Sequence, residues 1–135
     1  MDHTEMSLDE RIHFTPVGIK AYIKLMDLWQ TDIQDRWDLL GGTPPFNLER
    51  YQGWDPETGI ALTEDQLLRI GVLIKIAKSL HMMFGPQVHN EWVRAPNASQ
   101  LTKGISALRY MVDGGLPAII EVHKYLLGIM QCHYL

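Results

Sequence analysis

Apolar side chains recur at three- and four-residue spacing along most of this chain, the pattern of helices with one buried face. Thr15-Pro16 offers an N-cap residue followed by proline at the first helical position. A first helix is therefore predicted from there, with Ile19, Tyr22, Ile23, Met26 and Leu28 turned inward. A second is predicted from about Thr31, with Ile33, Trp37 and Leu40 sharing a face, until Gly41-Gly42 stops it. Residues 43–62 interleave Pro44, Pro45, Gly53, Pro56 and Gly59 with Phe46, Leu48, Tyr51 and Trp54. So many large apolar residues predict an ordered connector rather than a loose linker.

Thr63-Glu64-Asp65-Gln66 is a capping box, in which the Thr63 hydroxyl takes the amide proton of Gln66 and Gln66 reaches back. It opens a long helix through Leu67, Ile70, Leu73, Ile74, Ala77, Leu80 and His81 to Met83-Phe84, with Gly85 as its stop. Apolar on more than one side, this helix is expected at the centre of the fold. Pro86 opens a shorter helix carrying Val88, Trp92 and Val93, broken at Ala95-Pro96-Asn97-Ala98-Ser99. Another spans about Ile105 to Asp113 and stops at Gly114-Gly115. The last runs from Pro117 through Ile120, Val122, His123, Leu126 and Leu127 towards the C-terminus. Runs that would make strands are missing, so the expected class is all-α, with residues 1–14 a polar, acidic, flexible arm.

Composition narrows the picture. A chain of 135 residues with 46% hydrophobic and 21% charged positions has enough apolar material for one ordinary domain or two small lobes. No stretch reaches the roughly 18 consecutive apolar residues of a membrane-spanning helix. The opening Met1-Asp2-His3-Thr4-Glu5 carries acid where a secretion signal carries Lys or Arg. The lone cysteine, Cys132, has no internal disulfide partner, and a cytoplasmic location is expected. The net charge of −4 is unevenly spread. Residues 1–65 hold five Lys/Arg against thirteen Asp/Glu, or −8; residues 66–135 hold seven against three, or +4. An acidic half is a poor partner for DNA phosphates.

Catalytic chemistry needs titratable groups that converge, and the sequence offers few. His3, His13, His81, His89, His123 and His133 contain no His-x-x-x-His pair, and no Cys-x-x-Cys exists to complete a zinc site. His81 and His123 fall among apolar residues, as core or interface histidines do. Cys132 has no evident neighbouring base. Gly41-Gly42 and Gly114-Gly115 follow helices instead of opening them, so they do not cradle phosphate. No metal or cofactor is expected, and the chain is read as a binding protein rather than an enzyme.

From Phe84-Gly85 onward the order of residues adds a function. A long helix closes on Phe84-Gly85; Trp92-Val93-Arg94-Ala95-Pro96-Asn97 follows; then come Gly104, Leu108-Arg109-Tyr110-Met111-Val112-Asp113-Gly114 and Tyr125-Leu126. Upstream stand Trp29, Trp37 and Leu39-Leu40-Gly41, and a helix start at Leu62-Thr63-Glu64-Asp65-Gln66-Leu67. Together these features resemble the Xre/MbcA/ParS antitoxins of bacterial toxin–antitoxin pairs. The resemblance implies a helix-turn-helix-like region and connector over residues 15–62, packed on a helical toxin-binding domain over residues 63–135. It implies a partner, a RES-domain toxin that consumes NAD and is encoded nearby, neutralised when the antitoxin blocks its active site. It also implies a homodimer within a larger complex, some of which repress their own operon.

Phe84, Gly85, Trp92, Pro96, Asn97 and Gly104 are then the residues that set the fold of the toxin-binding domain. For the toxin contact we expect the last helix and tail, with Lys103, Arg109 and Lys124 at the rim and Tyr125, Met130 and Tyr134 as apolar anchors. The alternative function is a DNA-binding autoregulator that contacts operator DNA through Gln30, Gln34 and Arg36 of the second helix region. The same short segment carries Asp32, Asp35 and Asp38, which repel phosphate unless they face away.

Overall fold

A computed structural model describes residues 6–42, 61–85, 89–96 and 101–134. Its described elements are five helices: α1 (Leu8–Leu28), α2 (Ile33–Leu40), α3 (Glu64–Phe84), α4 (His89–Arg94) and α5 (Ala107–Tyr134). The fold is all-α; among the described residues the only β-type pairing is a single bridge between Pro96 and Ser106. The predicted connector lies outside the described residues as far as residue 60.

The first helix corrects the expected boundary. It begins at Leu8, because Ser7 and Glu10 form a full capping box: the Ser7 hydroxyl takes the Glu10 amide at 3.1 Å and the Glu10 carboxylate takes the Ser7 amide at 3.1 Å. Pro16 therefore sits inside the helix. There it removes a single rung of the hydrogen-bond ladder. The adjoining turn is tied instead through Thr15, whose buried hydroxyl donates to the Arg11 carbonyl at 2.6 Å and accepts from the Leu62 amide at 3.0 Å. Arg11 closes the clasp by donating to the Leu62 carbonyl.

The second helix ends as the sequence predicts, at Gly41 in the left-handed region (φ 76°), and its start is capped by Asp32, whose side chain takes the Asp35 amide at 2.8 Å. Its inward face differs from the expected one: Leu39 and Leu40 are buried and Trp37 half-buried, but Ile33 is exposed. Ile33 shares the face of Leu40 but lies two turns before it, as the first helical residue at the exposed start of α2. Tyr22 locks α1 to α2 by donating its hydroxyl to the Arg36 carbonyl at 2.6 Å. Burial pushes that phenol well above its ordinary pKa, so it remains a donor.

The capping box of α3 is present as expected, with Thr63 and Gln66 exchanging both bonds at 3.0 Å. This helix is central: it packs against α1, α2, α4 and α5. Ile70, Leu73, Ile76 and Leu80 are buried along it, joining Ile19, Tyr22, Met26, Trp29, Leu39, Leu62, Val93, Met111, Ile119, Val122 and Leu126 in one core. His81 has apolar neighbours as expected but is exposed near the end of α3, and Leu28 is exposed at the end of α1. The short fourth helix starts at His89; residues 86–88, including the expected Pro86 start, lie outside the described ones.

The two final helices expected on either side of Gly114-Gly115 are present as the two arms of α5. At Gly115 the backbone is non-helical (φ 70°, ψ −154°), which separates α5 into an arm before it and an arm after it. That region of backbone space is open almost exclusively to glycine. On the second arm Ala118, Ile119, Val122 and Leu126 face the core, whereas the expected Ile120 and His123 are half-buried and Leu127 is exposed.

Candidate protein-binding surfaces

The described residues of the pattern from Phe84 to Leu126 lie in and around α3, α4 and α5, which pack against one another. Gly85 leaves α3 at φ 80°, with its amide on the His81 carbonyl at 2.8 Å. In α4, Val93 is buried and Trp92 is half-buried against the core. Pro96 then pairs with Ser106, and Gly104 (φ 97°) turns the chain into α5. Phe84 is exposed at the end of α3. Asn97 lies outside the described residues.

The six residues expected at a toxin contact divide into groups. Lys103 and Lys124 are exposed, the first in the loop before α5 and the second on its second arm. Tyr125 and Met130 are half-buried on the same arm, and Tyr125 packs against the core. Leu127, at the same end of α5, is exposed. Nothing is described of the Tyr134 side chain, although the helix reaches that residue. Arg109 is engaged within the fold: one terminal nitrogen donates to both Asp35 carboxylate oxygens, at 3.0 and 3.2 Å, fastening α5 to the start of α2.

The residues expected to face DNA are also engaged. The Arg36 guanidinium donates to the Thr31 carbonyl and hydroxyl and pairs with Asp27 at 2.9 Å, closing the α1–α2 turn. Gln34 donates to Asp38 one turn on, and Gln30 accepts from Arg94 at 2.8 Å, tying the same turn to α4. Gln30 holds a left-handed backbone conformation (φ 55°).

A feature the sequence reading missed lies along the seam of α1 and α3. Two apolar hollows open there. One, of about 510 Å³, is lined by Ala21, Leu25 and Leu28 of α1 and Ile74, Ala77 and Met82 of α3, with Lys24, Lys78 and His81 at its margin. The other, of about 450 Å³, lies between Phe14, Val17 and Gly18 on one side and Leu67, Leu68 and Gly71 on the other, with Met6 and Glu64 at its end. The signal was present: Phe14, Val17, Ala21 and Leu28 form a second apolar stripe on α1, spaced by three, four and seven, beside the inward stripe of Ile19, Tyr22 and Met26.

Among the described residues no group of three or more His, Cys, Asp or Glu could hold a metal ion, and no helix is long and apolar enough to cross a membrane. No protein-family model, curated protein or solved structure matches the chain.

Proposed function

We propose that this chain is the antitoxin of a type II toxin–antitoxin pair, which binds a RES-domain, NAD-consuming toxin and blocks its active site. The observation that carries the reading is the ordered set of residues from Phe84 to Leu126 that resembles the toxin-binding domain of the Xre/MbcA/ParS antitoxins. The supporting geometry is their packing: the end of α3, the tryptophan-bearing α4, the Pro96–Ser106 pairing and the kinked α5 lie in elements that pack on one another. In this reading inhibition is stoichiometric, by burial of the toxin's active-site entrance, and the antitoxin itself turns nothing over. Tyr125 and Met130 supply apolar contact, with Lys103 and Lys124 at the edge. The protein acts in the cytoplasm, as a homodimer within a larger complex.

The DNA-binding alternative draws less support. Arg36, the one cation on the proposed reading helix, is spent on the α1–α2 turn, and Asp32 and Asp38 are exposed beside it.

The test is the NAD level and growth of a bacterial host that expresses the neighbouring RES-type gene with and without this protein. NAD should collapse with the toxin alone and recover on co-expression, and Tyr125→Ala should weaken the recovery. If NAD still collapses while both proteins are present and soluble, direct neutralisation is wrong.

A further inference from the structure

We propose that the α1–α3 seam is a second docking surface, built to receive an amphipathic helix of a partner protein that carries carboxylates beside its apolar stripe. The surface is distinct from the α5 face of the proposed toxin contact, and the proposal stands whether or not that reading holds.

The seam exposes large apolar side chains where a monomer would bury them: Val17 is 69% exposed, Met82 67%, Leu68 50%, Phe14 47% and Leu28 42%. Contiguous apolar surface of this kind marks interaction sites rather than ordinary solvent faces. Its shape is that of a helix groove. From Phe14 to Leu28 the seam runs ~21 Å, about four helical turns at 1.5 Å per residue. The two hollows are centred near Val17 and near Leu25, about two turns apart along α1. A docked helix therefore places its main anchors about seven or eight residues apart, the spacing of helix-in-groove recognition.

Charge selects the occupant. Of the cations on α1 and α3, Arg11 and Arg69 are turned into the fold, on the Leu62 and Leu39 carbonyls, and Lys75 stands near His123 of α5. Lys24 and Lys78 stand directly at the margin of the larger hollow. Among the described lining residues the one carboxylate is Glu64, which lies at the far end and accepts the Met6 amide at 3.2 Å. A second copy of this chain would offer these two lysines one lining carboxylate, Glu64, which the Met6 amide already engages. A helix with Asp or Glu flanking its apolar residues instead gains attraction at the rim while its anchors fill the hollows.

The experiment uses the full chain and two labelled helical peptides of about sixteen residues, sized to the groove. Both carry the same Leu and Phe anchors; one has Glu flanks and the other Lys flanks. Fluorescence anisotropy should show the Glu peptide binding at least about tenfold tighter, with the preference shrinking as salt rises. The double variant Lys24→Glu, Lys78→Glu should reverse that preference, and Val17→Asp should abolish binding of either peptide. All three positions are exposed or at the rim, and unchanged circular dichroism confirms that the variants fold. Equal binding of both peptides, or indifference to the charge reversal, overturns the proposal. So does a concentration-dependent dimer in sedimentation velocity that Val17→Asp dissociates, which would assign the seam to self-association. Binding to anionic vesicles with no peptide preference overturns it in favour of a membrane surface.

Discussion

Asp35 and Arg109 lie 74 positions apart in the chain and meet across the α2–α5 contact. The Asp35 side chain is only 11% exposed and that of Arg109 47% exposed, so the two partners are not equivalent. Removal of Arg109 strands a nearly buried carboxylate, whereas removal of Asp35 leaves a guanidinium that water can reach. We expect Arg109→Ala to cost about 2 kcal/mol and Asp35→Ala about 1 kcal/mol in urea unfolding, with a double-mutant coupling of similar size. A coupling near zero would refute the fastening role. His123 offers a second test at the same scale. Desolvation on α5, and then the nearby charge of Lys75, hold its pKa below the ordinary 6.5. The folded state thus binds this proton less readily than the unfolded chain does. The neutral ring's contribution is complete above about pH 6.5 and is lost as pH falls through that value towards the lower folded pKa. His123→Gln should therefore lose less stability than the parent protein between pH 7.5 and pH 5.5, measured by denaturant melts at each pH. The sequence placed His123 and Arg109 on helices, but it could not name Lys75 or Asp35 as their neighbours, because both contacts join separate elements.

At the scale of the element, the ends of helices were the most readable features. Thr63-x-x-Gln66 and Gly41 acted as local chemistry requires, since a cap is satisfied within three or four residues of itself. The start of α1 was misplaced for an instructive reason. Ser7-x-x-Glu10 is the same kind of capping box as Thr63-x-x-Gln66, yet Thr15-Pro16 offered a competing start nearer to the apolar run. Thr15 is instead an interior residue whose hydroxyl serves Leu62, a contact spanning 47 positions. Gly115 carries the prediction at this scale. Alanine there must adopt φ 70°, ψ −154° or straighten the kink, at a cost of about 1–3 kcal/mol. Gly115→Ala should lower the thermal midpoint measurably, while Gly128→Ala, on the same helix with open space around it, should not. Equal effects of the two substitutions would mean that the kink carries no strain.

For the whole molecule, the distribution of charge matters more than its sum. Along the chain the split falls between an acidic first half and a basic second half. In space the grouping is different: Lys24 of α1 and Lys78 of α3 meet at one hollow of the seam, and α2 with its cap gathers Asp32, Asp35 and Asp38. The acidic character of α2 and the internal engagement of Arg36 give an expectation for DNA. The chain alone should show no salt-dependent retention on operator DNA, because no row of cations is left on α2 to release counterions. Retention that falls steeply between 50 and 200 mM salt, as phosphate contacts produce, would restore the regulator reading.

What the sequence determined by itself was the class of the fold, most of its helices and the centrality of α3, because periodicity and caps act over one or two turns. It also carried the ordered residues from Phe84 to Leu126 on which the antitoxin proposal rests. Only the tertiary structure decided which of those side chains are spent inside the fold, as Arg36 and Arg109 are, and that two helices leave an apolar, basic-rimmed groove between them. A groove belongs to neither helix alone. It exists because α3 packs alongside α1, and no spacing within a single segment records that meeting.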